Sequence, residues 1–454
     1  MTIKSRLVLG IPAKYLIAVM VLILASLAAA IISANTTPDG AIVVVFILMA
    51  TLATMLFMMS IGYEALPIIS LLIAALTLSW TNIRLTNYMT LSDIFFVLTL
   101  AFMLPTLGSR ITQLPNSFMP ILRGSLVLLA GAFVATLFSA ESVVSLMRFL
   151  KLATAVFLIP LIIGLLNPKL STMRALIVGW IASATISSLY GIVVGPGEIS
   201  PTRINGLATH PNNLALCCVL AFGPALVLTM MGTISSRVLS GACSVILAFG
   251  VVLSGSRAGL LGLVVVLVIL LFMIDKKDVV KYVVIATVVV YALFSLGILK
   301  MDDNNALDRL FSQSNSASVT ESDSGRLEKL NNSWQQILDR PFLGVGLQEA
   351  RGGHNVYVQL LSSSGILGLL GFLTIAWNSM KPLWTSLRST ISTRESDYST
   401  RLFLIGLVSS YVGLIVADAV SNALWERFVW LLPALIAVLH SYLNVGRDVE
   451  IEVQ

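Results

Sequence analysis

Charge is scarce in this chain: 11% of its 454 residues are Asp, Glu, Lys or Arg, while 57% are hydrophobic. Soluble domains carry roughly a quarter charged residues, so this composition excludes a soluble globular domain and equally a disordered one. Cysteine is scarce too. Cys217, Cys218 and Cys243 lie in apolar stretches, are odd in number and lack metal-ligand spacing. That argues against a disulfide framework or a zinc site and for small buried side chains. The three histidines form no His-Glu-x-x-His pattern, and acidic residues never cluster densely, so no metal site and no cofactor are expected. A Walker phosphate loop and a dinucleotide fingerprint are both missing, which argues against a nucleotide-powered machine. Gly-x-Ser-x-Gly does not occur in a strand-turn-helix context. The net charge of +6 reports membrane topology rather than nucleic acid.

What is present is a succession of apolar runs. They predict helices near 15–34, 41–60, 65–80, 91–106, 121–139, 147–166, 175–195, 213–231, 238–253, 258–274, 279–298, 356–378, 402–420 and 425–442. Allowing for mis-split short runs around 65–80 and 238–253, that is about 12 to 14 spans. Backbone polar groups must be satisfied internally in lipid, so the expected architecture is an all-α polytopic bundle forming one integral membrane domain over 1–454. The basic start (Lys4, Arg6, Lys14) and the run from Tyr15 to Ser33 lead directly into another span. They read as a retained first helix rather than a cleaved signal.

With the N-terminus in the cytoplasm and strict alternation, the short cytoplasmic loops collect most of the Lys and Arg, as the positive-inside rule requires. The Asp275-Lys-Lys-Asp segment and 379–401 anchor this orientation, and an even number of spans puts both termini inside. The one large loop, 299–355, then lies outside, in the periplasm or extracellular space. Its Ser/Asn-rich first half, Ser312 to Ser324, is expected to lack order. Its second half has apolar positions spaced for an amphipathic surface helix near 326–338.

Polar chemistry gathers on that outer side. Residues 196–213 contain the Pro/Gly-shaped loop Pro-Thr-Arg203-Ile-Asn-Gly206-Leu-Ala-Thr-His210-Pro211-Asn212-Asn213. It ends at the start of a span, where free backbone N–H groups favour an anion. Gly-Ser-Arg257 joins two apolar spans almost without a loop. Arginine there either snorkels to lipid phosphate or clamps a diphosphate with its planar fork of donors. His354 and Asn355 stand where the large loop meets the next apolar helix. A histidine with an ordinary pKa of about 6.5 can take a proton from a sugar hydroxyl near neutral pH. His210 is a second outer candidate in a structural-looking context, and His440 lies near the inner end of the last span.

These pieces occur in a definite order: Arg203-x-x-Gly206-x-x-x-His210-Pro-Asn212, Gly-Ser-Arg257, Gly325-Arg326-Leu, Pro341-x-x-Gly344-x-Gly346, and His354-Asn355 followed by Gly365-x-x-Gly368. Over roughly residues 200–380 the chain resembles the O-antigen ligase and Wzy-type polymerase family. Asp418, Arg427 and Trp430 in the last spans are compatible with it. The first 190 residues are similar only as generic membrane helices.

The resemblance implies a GT-C-like helical fold and a metal-independent glycosyltransferase of the bacterial inner membrane, with its site on the periplasmic face. Its donor would be a glycan on undecaprenyl diphosphate, and its acceptor a sugar of a lipid-linked repeat unit or of the lipid A core. By the same resemblance Arg203 and Arg257 would bind the diphosphate, Arg326 would support donor or loop, and His354 would activate the acceptor hydroxyl. Asn355, His210 and Arg427 complete the expected substrate-binding set. Polymerase is preferred to ligase, although no residue separates the two. A transporter or flippase of lipid-linked saccharide is the rival from another class. It would place polar groups near the midplane, often in repeated halves, and here they collect at one face. A non-catalytic assembly scaffold is the remaining reading.

Overall fold

The computed structural model describes residues 65–84, 89–196, 203–231, 233–274, 317–348, 354–388 and 395–451. The helices expected near 15–34, 41–60 and 279–298, the N-terminus and the first part of the large loop lie outside the described residues. The other eleven expected spans are all present. They comprise α1 (Leu66–Leu76), α2 (Leu91–Met103), α3 (Met119–Leu137), α4 (Ser142–Ala153) and α5 (Ile159–Leu166). There follow α6 (Leu170–Val194), α7 (Pro211–Leu228), α8 (Ile234–Leu253) and α9 (Arg257–Met273). The loop helix α10 (Ala317–Asp339) precedes α11 (Val356–Arg388), α12 (Glu395–Ala417) and α13 (Arg427–Ile451). No strand occurs among the described residues. Among the described residues eight helical segments are long and apolar enough to cross a membrane, one of them the joined α4–α5 segment Ser142–Leu166. The protein is an all-α polytopic membrane protein.

Local breaks in these helices have identifiable causes. Between α4 and α5 the ladder slips into a π turn, Thr154–Leu158. Pro160 follows, and it supplies no N–H and crowds the carbonyl four residues back. Within α11, Gly365 adopts φ +63 and ψ −166, a region that glycine alone occupies readily. A Cβ there would overlap the Phe342 carbonyl. The break frees backbone groups that the segment after α10 takes up. Val345 N donates to Ser362 O (2.8 Å), Gly346 N to Ser363 O (3.1 Å), and Ile366 N to Pro341 O (3.2 Å). Irregular backbone inside a membrane protein survives only with such partners.

The core is centred on α7, which is buried without interruption from Leu214 to Val227. Helices α6, α8, α9 and α12 surround it. Small residues bring the helices close: Gly223 lies against Gly406, Gly262 against Gly413, and Gly124 and Gly131 of α3 against α11. Apolar side chains gain little by leaving lipid for protein, so close backbone approach of this kind is what holds membrane helices together. Cys217 and Cys218 are buried, with Ser79 and Ser188 hydroxyls at 2.9 and 3.0 Å.

Helix α10 begins at Ala317, earlier than expected, and takes in part of the Ser/Asn-rich stretch expected to lack order. Once the packed portion has nucleated, extending a helix costs little. Ser333 and Ile337 are buried, whereas Leu327, Trp334 and Leu338 point outward and are more than half exposed.

Contacts between loops sort the helix ends onto two faces. On one face, Thr81 meets Thr209, Ile204 N reaches Leu253 O, Val356 N reaches Asp418 O, and Arg340 reaches Phe138 O. On the other, Arg174 donates to Ser399 Oγ and Tyr442 to Pro168 O. The alternation expected from the sequence therefore brings Arg203, His210, Arg257, Arg326, His354 and Arg427 to one end of the bundle.

Candidate functional site

Two cavities open at that end. The smaller, about 300 Å³, is lined by Arg203, Asn212, Gly255, Ser256, Arg257, Ala258, Leu261, Arg326 and Val420. Arg203 is buried and fixed: its Nε donates to Ser254 O and its Nη2 to Asn212 Oδ1, both at 2.6 Å. Gly206, at φ +56, lets the preceding loop press on α6, where a Cβ would overlap the Ser187 carbonyl. Ser256 caps α9 by accepting from Gly259 N at 3.2 Å. This puts Arg257 on the first turn with an exposed side chain. Three guanidinium groups and the positive end of α9 thus face one space, and no carboxylate among the described residues lines it. The space suits a polyanion.

The larger cavity, about 540 Å³, is lined by Arg148, His210, Asn212, Asn213, Lys329, His354, Gln359, Ser421, Asn422 and Trp425. Asn212 lines both cavities, so the cationic space and the amide-rich space abut. His354 is half-buried with φ +56, one of two non-glycine residues at positive φ among the described residues. Conformations of this kind concentrate at functional sites. Burial, then the charges of Arg326 and Lys329, push its pKa below the usual histidine value. The imidazole is therefore neutral at pH 7 and able to accept a proton.

The other expected site residues fall differently. Asn355 supports its neighbour: its Oδ1 caps α11 by accepting from Val358 N (3.0 Å), and its Nδ2 ties that helix start to Ala419 O (2.9 Å). His210 lines the larger cavity but also caps α7, its Nδ1 accepting from Asn212 N at 3.2 Å. The N–H groups expected to be free at that helix start are thus partly taken up within the chain. Arg427 lines neither cavity. It forms a buried two-pronged ion pair with Asp93, Nε to Oδ1 at 2.7 Å and Nη2 to Oδ2 at 2.6 Å. Asp418 is buried, and its Oδ1 has no hydrogen-bond partner among the described residues.

Sequence reasoning passed over Arg148, Asn213, Gln359, Asn422 and Trp425. They come from four helices or loops, and none sits in a motif except Asn213, which follows Asn212. Asn213 Nδ2 donates to Glu426 Oε1 at 2.7 Å, and burial raises the Glu426 pKa against the opposing pull of Arg427, Lys151 and Arg84. Among the described residues no group of three His, Cys, Asp or Glu could hold a metal.

Fold and site together define a polytopic membrane protein with a polycationic cleft beside a histidine-bearing polar cavity at one end. The family model described as O-Antigen ligase matches residues 242–373, and over that segment the chain is similar to the O-antigen ligase family. The matched segment runs from α8 into α11 and contains Arg257, Arg326, His354 and Asn355, whereas Arg203, His210 and Arg427 lie outside it. The chain matches no curated protein significantly.

Proposed function

We propose that this protein transfers a glycan from undecaprenyl diphosphate to an acceptor sugar at the periplasmic face of the bacterial inner membrane, acting as an O-antigen or exopolysaccharide polymerase. The observation that carries the reading is the abutment of the two cavities across Asn212, one holding Arg203, Arg257 and Arg326 and the other His354. The acceptor hydroxyl oxygen forms the new bond to the anomeric carbon as the bond from that carbon to the diphosphate breaks. His354 takes the hydroxyl proton. The departing diphosphate gains negative charge, which preorganised arginines stabilise more in the transition state than in the ground state. The donor arrives activated, so neither nucleotide nor metal is required.

The periplasmic assignment is supported by charge. The opposite end of the bundle carries Arg110, Lys169, Arg174 and Arg237 at its helix ends, as cytoplasmic loops do. The large loop 299–355 is then a periplasmic element of a single membrane domain. Purified protein given a lipid-linked repeat unit, and separately a lipid A core acceptor, with EDTA present, tests the reading. A ladder of products is expected. A single shift of the core would make the protein a ligase instead. Absence of both products from a folded preparation that binds the donor would refute glycosyl transfer. His354→Ala is expected to abolish transfer, and retained activity would remove His354 from the mechanism.

A further inference from the structure

Among the described residues the larger cavity carries charge of one sign. Arg148 of α4 and Lys329 of α10 both line it, and no described Asp or Glu does. Neither cation forms an ion pair with a described residue. Arg148 is held in place rather than loose: its Nη1 donates to Leu347 O at 3.2 Å. The same junction is clamped where Ser145 Oγ accepts from Gln348 N at 3.3 Å and Arg340 donates to Phe138 O at 3.1 Å. Asn213, Gln359 and Asn422 offer amides for sugar hydroxyls, and Trp425 offers an indole face for a pyranose ring.

The diphosphate of the donor already has its own arginines in the smaller cavity, so a second pair of cations calls for a second anion. We infer that the acceptor saccharide is anionic, bearing a uronic acid carboxylate or a phosphate ester that Arg148 and Lys329 hold within reach of His354. An anion there relieves the mutual repulsion of the two cations and makes charge-assisted hydrogen bonds. This inference rests on the transferase reading in naming the saccharide an acceptor and in assigning the donor diphosphate to the smaller cavity. The binding itself stands apart from turnover.

Full-length protein in neutral-lipid nanodiscs is titrated with methyl glucoside, methyl glucuronide and glucose 6-phosphate, and affinity is read by saturation-transfer NMR. At least one anion is expected to bind about tenfold more tightly than the neutral glucoside, equivalent to about 1.4 kcal/mol. Which anion does so identifies carboxylate or phosphate as the source. Arg148→Gln and Lys329→Gln each reduce that preference, and together they abolish it. Equal binding of all three sugars would overturn the inference, as would a preference that survives the double variant. So would farnesyl diphosphate competing for the same cations and weakening in Arg148→Gln, because the pair would then hold a lipid-linked diphosphate rather than an anionic sugar. Failure of glycosyl transfer with the anion preference intact would sink the transferase reading alone.

Discussion

Arg427 was expected to touch substrate, and the structure makes it a structural tie instead. Its guanidinium and the Asp93 carboxylate are each 5% exposed. Asp93 also accepts from Thr90 N (2.7 Å) and Thr90 Oγ1 (2.9 Å), closing a capping box at the start of α2. The pair therefore joins the starts of α2 and α13, next to Trp425 and Asn213 in the larger cavity. Two unit charges about 4 Å apart attract by about 4 kcal/mol at an effective dielectric constant of about 20. Arg427→Ala leaves the carboxylate buried with only Thr90 to satisfy it, and breaking a buried pair in this way costs about 3–5 kcal/mol. Replacing both partners by apolar side chains, Asp93→Leu with Arg427→Met, removes the stranded charge and restores most of that loss. Thermal unfolding of the detergent-solubilised protein is the assay, with binding of farnesyl diphosphate measured in parallel. Arg427→Ala should melt well below wild type, the double variant should melt above Arg427→Ala, and diphosphate affinity should not change. An unchanged melting temperature with diphosphate affinity reduced about tenfold would refute the reasoning and return Arg427 to the substrate.

Two further outcomes concern His354 and Gly365. A base must be unprotonated, and burial with Arg326 and Lys329 nearby lowers the His354 pKa. Transfer should therefore be at full rate at pH 7 and fall only as pH drops through a value below the ordinary histidine range of about 6.5. Lys329→Gln should move that acid limb upward, and a wild-type limb at or above 6.5 in a pH–rate profile would contradict the assignment. Gly365→Ala must place a Cβ against the Phe342 carbonyl at a backbone conformation reserved for glycine. It should destabilise the protein by at least about 2 kcal/mol, and an unaltered unfolding temperature would show that the break in α11 is not required.

Much of the fold was legible because lipid leaves the backbone few options. A run of about 20 apolar residues must be helical to satisfy its own N–H and C=O groups, and each expected span that falls among the described residues is a helix. The sorting of Arg203, Arg257 and His354 onto one end was legible for a related reason, since helices of this length alternate faces. The onset of α10 at Ala317 was not legible, because a polar Ser/Asn-rich stretch has no periodicity to mark where a helix propagating from its packed part will stop. Asn355 shows a different limit. It stands beside His354, yet its amide is taken up by Val358 N within α11 and by Ala419 O, a partner that only the tertiary approach supplies.

Pattern and composition by themselves determined the all-helical membrane class, the shared end of the polar residues and the resemblance to a family, because hydropathy and motif spacing act along the chain. Tertiary structure alone decided which of those polar residues face the same space. Arg148 lies some 200 residues from His354 in a segment without a motif, and it reaches the larger cavity because Leu347 and Gln348 are hydrogen-bonded to α4. Arg427 carries the same charge as Arg203 and Arg257 but is turned away by a carboxylate on α2, more than 300 residues earlier. A side chain's charge is written in the sequence, whereas its partner is set by which helices meet. That pairing separates a residue that holds the bundle together from one left to meet a ligand.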